Sequence, residues 1–177
     1  SPRLKRGSDL QESYGIESEV DNVAAVKDAD IVVLSVKPQH LKAVLPELKS
    51  KLKPQALILS IIAGATIEKI STGLDNPNVV RSMPNTPAQI GKGITVWTAS
   101  PTVTEKQRQM AGQIISALGD EVFLEDEYYL DMATALSGTG PAYVFLFMEA
   151  MVDAGVHLGF PRRIAEQLVA QTVRGSV

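Results

Sequence analysis

The amino-acid sequence predicts an α/β fold, a parallel sheet flanked by helices, followed by a region built only from helices. Three observations carry this. Two β-branched runs, Asp30-Ile31-Val32-Val33-Leu34-Ser35-Val36 and Ala56-Leu57-Ile58-Leu59-Ser60-Ile61-Ile62, read as strands buried on both faces, with a helical apolar spacing between them. Beyond Glu127 convincing strand signals stop. There, Ala135-Leu136-Ser137-Gly138-Thr139-Gly140-Pro141-Ala142-Tyr143-Val144 runs through two glycines and a proline straight into a long apolar segment.

The first run ends in Lys37-Pro38, and Pro38 fits the first turn of a helix. In that helix Leu41, Val44, Leu45, Leu48 and Leu52 recur at helical spacing until Lys53-Pro54 stops it. The second run closes on Ala63-Gly64, and Thr66 opens a short helix through Ile70. Residues 78–83 and 93–98 read as the third and fourth strands. Thr104 followed by Gln107 has capping-box spacing, for a helix that continues through Met110, Ile114 and Leu118 to Gly119. Residues 121–125 are expected as the last strand. This alternation implies βαβ units in a parallel sheet, with the first run as a central strand.

In the helical region, residues 142–158 are apolar over most of the circumference, with Glu149 and Asp153, one turn apart, marking a narrower polar edge. A helix of that kind must be buried, and so small a region cannot bury it alone. A partner subunit related by two-fold symmetry is the expected cover. At the start of this helix Gly138 and Gly140 admit close backbone approach, Pro141 suits the first turn, and Ser137 or Thr139 is expected to cap it.

With 177 residues, 45% of them hydrophobic, the chain can form one large domain or two small ones. A net charge of -3 argues against a broad nucleic-acid surface, because basic residues cluster only at Arg3, Lys5 and Arg6 and at Arg162 and Arg163. The absence of cysteine excludes a disulfide framework, a thiolate metal site and a cysteine nucleophile, and it suits a reducing compartment; a cytoplasmic protein is expected. No unbroken apolar run reaches about 18 residues, so no membrane span is expected. The chain begins at Ser1 without a signal-peptide pattern and ends in what reads as mid-helix, so it is expected to be a piece of a longer one.

In a doubly wound sheet ligands bind outside the carboxyl ends of the strands. Ser35-Val36-Lys37-Pro38, Ala63-Gly64 and Met83-Pro84-Asn85-Thr86-Pro87 each follow a strand. Singly, a solvated lysine, a simple turn and a rigid loop account for them; their coincidence marks one edge as a candidate cleft. A G-x-G-x-x-G turn is absent and would precede residue 1. Ser1-Pro2-Arg3-Leu4-Lys5-Arg6 then fits a turn that reads an adenosine ribose, its hydroxyl and cations suiting a 2′-phosphate, although a basic exposed helix start has the same pattern. No nucleophile system is visible. His40 and His157 belong to no metal-ligand pattern, and Glu125-Asp126-Glu127 reads as a loop and a helix N-terminus. This suits hydride transfer, in which a cofactor carries the chemistry and the protein aligns the reactants.

The motifs resemble those of the pyrroline-5-carboxylate reductase family over nearly the whole chain. The likeness rests on Ser35-Val36-Lys37-Pro38, Ala63-Gly64, Arg81-Ser82-Met83-Pro84-Asn85-Thr86-Pro87, Leu136-Ser137-Gly138-Thr139-Gly140-Pro141-Ala142-Tyr143 and Gly159-Phe160-Pro161-Arg162-Arg163. It implies a Rossmann-type NADP-binding domain over residues 1–126, lacking its first βαβ portion. An all-helical dimerisation and substrate domain, C-terminally incomplete, follows over residues 127–177. The implied activity is reduction of 1-pyrroline-5-carboxylate to L-proline, the last step of proline biosynthesis, with NADPH or alternatively NADH, by a homodimer or higher homo-oligomer with no metal, nucleic-acid or membrane partner.

By the same resemblance Ser1 and Arg3 lie at the adenosine ribose or its phosphate, and Asn22 in the cofactor groove. Val36, Lys37, Pro38, Ala63 and Gly64 lie on the path to the nicotinamide, while Asn85, Thr86, Ser137, Gly138 and Thr139 lie near the nicotinamide and substrate. The family's glycine-rich turn falls before residue 1. Its Ser-Pro-Gly-Gly-Thr-Thr segment, which closes the site from the partner subunit, falls beyond Val177, where the proton donor to the imine is also expected. Catalysis by this stretch alone is therefore not expected, and a truncated binding or dimerisation module is the alternative. A hydroxyacid-type Rossmann reductase would need a lysine in the helical region, and from Tyr128 onward there is none.

Overall fold

The structure, a computed structural model, describes residues 4–176, with side chains from residue 7 onward; Ser1 and Arg3 lie outside the described residues. Five strands, β1 (Ile31–Leu34), β2 (Leu57–Ser60), β3 (Val79–Met83), β4 (Gly93–Ala99) and β5 (Gly119–Phe123), form one sheet in chain order. β1, β2 and β3 are parallel, with Val32 opposite Ile58 and Ile58 opposite Val79. Helices α1 (Leu4–Tyr14) and α2 (Asn22–Val26) precede the sheet, and α3 (Leu41–Leu48), α4 (Ile67–Leu74) and α5 (Glu105–Ser116) connect its strands.

Burial on both sheet faces accounts for the β-branched runs. Val32, Leu34, Ile58 and Val79 pack on one face with Leu41, Leu45 and Leu48 of α3 and Ile70 and Leu74 of α4. Leu57, Leu59, Val80 and Trp97 pack on the other with Ala111 and Ile115 of α5. The predicted capping box is present, Thr104 Oγ1 accepting from Gln107 N at 3.3 Å while Thr104 N donates to Gln107 Oε1 at 3.0 Å.

Two features of the sheet differ from the reading of the sequence. β4 runs antiparallel to β3, with Arg81 opposite Thr98 and Met83 opposite Val96. The connection Pro84–Lys92 holds only a 3-10 turn (Thr86–Ile90), and a parallel crossover needs about a dozen residues or more. Among the described residues β1 is the first strand of the sheet order, and Val33 is 49% exposed. β5 starts two residues early, because Gly119 opens the strand instead of closing α5. Its φ of 130° and the absence of a side chain let it lie directly against Gly93, whose carbonyl oxygen would be 2.2 Å from a Cβ there.

An ion pair fixes the entrance to β1. Lys53 Nζ lies 2.8 Å from Asp30 Oδ1, and this hydrogen bond and the lysine charge hold the Asp30 carboxyl below the usual carboxylate range. A depressed folded-state pKa means that the contribution is present above the ordinary value, about 3.9, and is lost as pH falls through the folded-state value. Lys53→Met is expected to raise the Asp30 midpoint toward the ordinary carboxylate range in a carboxyl NMR titration. An unmoved midpoint would show that the lysine does not set it.

The helical region begins with α6 (Tyr128–Ala133), which covers Val96 through Leu130 and Ala133. A five-residue π-turn, Thr134–Gly138, carries it into α7 (Gly140–His157), so the expected break at the glycines is instead one 30-residue helix, Tyr128–His157. α8 (Arg162–Gly175) folds back on α7, burying Val152, Ala165 and Val169. Gly155 permits the approach, since a Cβ there would lie 2.9 Å from Ala165 Cβ. Arg162 binds Asp153 at 3.2 Å and Glu166 at 3.3 Å.

Most of α7 has no cover within the chain: Phe145 is 65%, Leu146 69% and Phe147 61% exposed. By length and composition the 30-residue helix is sufficient to cross a membrane, with a mean hydropathy of 1.2 over an 18-residue window. Counting unbroken apolar runs misses this, because a window average absorbs a single charge.

Candidate functional site

Because β1, β2 and β3 are parallel, their carboxyl ends share one edge of the sheet. After β1, Val36 packs into the core and Lys37, extended at φ −64° and ψ 146°, stays exposed. Pro38 then opens a 3-10 turn (Pro38–His40) in which His40 N donates to Lys37 O at 2.9 Å. After β2, Ser60 Oγ accepts from Ile62 N at 3.2 Å, and Ser82 Oγ of β3 donates to Ser60 O at 3.0 Å, tying the two strand ends together. Ala63 is half-buried. Gly64, at φ 69°, has nothing within 4 Å of where a Cβ would stand, which leaves open backbone for a ligand at this edge. Thr66 Oγ1 caps α4 by accepting from Lys69 N.

The loop after β3 is pinned by Asn85, whose Oδ1 accepts from Ile94 N at 3.0 Å and whose carbonyl accepts from Ala88 N. Thr86 begins the following 3-10 turn and is exposed. Gly138 of the π-turn seats directly on this loop, since a Cβ at Gly138 would lie 2.8 Å from Met83 Cε. The two motifs, far apart in sequence, thus meet at the carboxyl edge of β3.

Neither Ser137 nor Thr139 caps α7. Ser137 Oγ donates to Ala133 O at 3.1 Å, and Thr139 Oγ1 and N both donate to Thr134 O, at 2.9 and 3.0 Å. A helix that continues through the π-turn exposes no amide terminus to be capped; it leaves carbonyls to be satisfied, and the hydroxyls turn to these. With their protons committed, both hydroxyl oxygens can meet a ligand only as acceptors.

The sequence reading missed Arg81. It is 3% exposed in the middle of β3, where Nη1 donates to Glu127 Oε1 at 2.9 Å and Nη2 to Asp131 Oδ1 at 2.7 Å. Glu127 Oε1 also accepts from Ile67 N at 2.8 Å, so one carboxylate joins β3, the start of α4 and the start of α6. Of the acidic run only Asp126 serves the expected helix N-terminus, accepting from Tyr128 N at 2.9 Å. The available signal was a charge inside a run otherwise buried on both faces, which demands an ionic partner.

Asn22, expected in the cofactor groove, opens α2. Asn22 Nδ2 donates to Glu47 Oε2 at 3.1 Å. His40 and His157 are exposed, and His157 Nδ1 lies 2.8 Å from Asp153 O. Among the described residues no group of His, Cys, Asp or Glu is arranged to hold a metal ion. Two open grooves, of about 420 and 250 Å³, run along α7 and α8 rather than at the sheet edge, lined by residues such as Leu168, Gln171, Met151 and Phe160.

The family model described as pyrroline-5-carboxylate reductase dimerisation matches residues 127–177, and that described as NADP oxidoreductase, coenzyme F420-dependent, matches residues 1–64. The chain is 44% identical over 176 residues to a pyrroline-5-carboxylate reductase of Pseudomonas aeruginosa, covering 99% of this chain and 64% of that protein. To that of Arabidopsis thaliana it is 38% identical, covering 95% and 60%. Among solved structures, the pyrroline-5-carboxylate reductase of Coxiella burnetii superposes with a TM-score of 0.91 at 37% identity, over 99% of this chain and 66% of that one. The Plasmodium falciparum pyrroline carboxylate reductase with NADP bound gives 0.84 at 34%, over 91% and 61%. The chain thus spans between 60% and 66% of the length of these relatives.

Proposed function

We propose that this chain belongs to the pyrroline-5-carboxylate reductase family and that the whole protein reduces 1-pyrroline-5-carboxylate to L-proline with a nicotinamide dinucleotide. The observation that carries the reading is the seating of Gly138 on Met83, which joins the two motifs at the sheet edge where Gly64 leaves open backbone. That open backbone fits a dinucleotide, and the dinucleotide, when bound, supplies the hydride. Val36, Lys37, Pro38, Ala63 and Gly64 border its nicotinamide end. Asn85 and Thr86 on one side, and Ser137, Gly138 and Thr139 on the other, border the substrate and exclude water from it.

The imine nitrogen must gain a proton as the neighbouring carbon accepts hydride. We assign that proton to neither Ser137 nor Thr139, because their hydroxyls donate to Ala133 O and Thr134 O. Whole protein that binds neither NADPH nor NADH and turns over no 1-pyrroline-5-carboxylate would overturn the proposal. A truncated dimerisation module is not favoured by the catalytic relatives, and the mass of the intact protein separates the two readings.

For the dinucleotide we propose NADPH, read by Ser1 and Arg3. A charge-assisted contact to a 2′-phosphate contributes about 1.5–3 kcal/mol, so Arg3→Ala is expected to weaken NADPH binding about ten- to a hundredfold while leaving NADH unchanged. Equal effects on both dinucleotides, measured by fluorescence titration, would place Arg3 away from the phosphate.

The assembly we propose is a homodimer in the cytoplasm, built on the apolar face of α7 and the grooves beside α8. A protein interface accounts for that face better than a bilayer does, since Asp131, Glu149 and Asp153 lie along the same helix and Asp153 is ion-paired at its surface.

A further inference from the structure

We propose that Tyr143 is a positioning residue: its hydroxyl, bonded across the π-turn, sets the seat of Gly138 on Met83. Tyr143 Oη donates to Ala135 O at 3.1 Å, reaching back eight residues along the same helix. The other hydroxyls of this segment make shorter reaches. Thr134 Oγ1 donates to Leu130 O at 2.8 Å, Ser137 Oγ to Ala133 O, and Thr139 Oγ1 to Thr134 O. Each of those satisfies a carbonyl within about one helical turn, whereas Tyr143 ties the first turn of α7 to the carbonyl face of the π-turn.

The need for such a tie follows from local chemistry. A π-turn widens the helix and misaligns its hydrogen bonds, and Pro141 has no N–H to offer the preceding turn. The orientation of Gly138 is therefore poorly held by the backbone. Its contact is close, because Met83 Cε, the end of a flexible side chain, lies 2.8 Å from where a Cβ would stand and reports any movement of the turn. A slight change in the turn moves Gly138 relative to the loop Met83–Pro87. Ser137 and Thr139, on either side of Gly138, move with it.

The inference rests on the reductase reading for its effect on turnover, while its structural part stands by itself. The test is Tyr143→Phe in the whole protein, which keeps the ring and removes the donor. Loss of one neutral hydrogen bond corresponds to about a two- to tenfold change in population. Amide exchange at Thr134–Gly140 is expected to accelerate by about that factor, with exchange in α8 unchanged, and the Met83 ε-methyl NMR resonance is expected to shift. At saturating dinucleotide kcat is expected to fall by a similar factor, with the dinucleotide Kd unaltered. Unchanged exchange and an unmoved methyl resonance would overturn the clamp, and faster exchange with unaltered kcat would overturn the positioning role. A whole protein with no reductase activity would overturn the functional reading alone, because exchange and the methyl resonance still decide whether the clamp exists.

Discussion

Replacing Glu127 and Asp131 together by alanine is expected to destabilise the fold by about 3–5 kcal/mol, more than Arg81→Met does, because the double variant strands a charge that the single one deletes. Arg81 is 3% exposed and lies between Ser60 and Thr98 in the sheet, so its guanidinium has no route to water. The carboxylates are less confined, at 31% exposure for Glu127 and 62% for Asp131, and can rehydrate when the arginine is gone. Methionine fills the space of the arginine stem, which limits the cost of Arg81→Met to about 1–3 kcal/mol. Removal of Glu127 also orphans the Ile67 amide at the start of α4. Urea unfolding of the three proteins at equal slope is the measurement. Arg81→Met proving the more damaging change would show that the carboxylates, not the guanidinium, bear the desolvation.

The second large effect concerns assembly. Phe145→Asp is expected to convert the proposed dimer to a folded monomer. Phe145 is 65% exposed within one chain, so a charge there costs the monomer core little. In a two-fold interface the same substitution occurs twice, and each lost phenyl burial is worth about 1.5–3 kcal/mol, which weakens the dimer at least about a hundred- to ten-thousandfold. Sedimentation velocity at micromolar concentration, with circular dichroism to confirm folding, checks this. A variant that remains dimeric would move the interface off this face of α7. A wild-type protein that is a stable monomer would remove the dimer proposal altogether.

Much of the fold is legible in the residues because it is encoded locally. The runs at Ile31–Leu34 and Leu57–Ser60 carry the apolarity of strands buried on both faces, and Leu41, Leu45 and Leu48 carry the period of a helix with one buried side. Thr104 and Gln107 announce their cap at a spacing of three. The direction of β4 was also within reach, since the connection Pro84–Lys92 is too short to cross over. The uncovered face of α7 follows from composition alone, because a helix apolar nearly all round needs cover that its own region lacks.

By itself, then, the sequence determined which segments are strands and helices, where the motifs interrupt them, and that the last helices want a partner. Only the tertiary structure decided how these segments meet. Periodicity reports whether a face is buried, not against what. A charge in a strand demands a partner without naming it, and Glu127 and Asp131 became that partner only once α6 was laid across β3. The glycines at 138 and 140 signal close approach in either a break or a continuous helix. The hydroxyls of Thr134, Ser137, Thr139 and Tyr143 support the continuous one, and no local propensity anticipates the packing of Gly138 on Met83, so far apart in the chain.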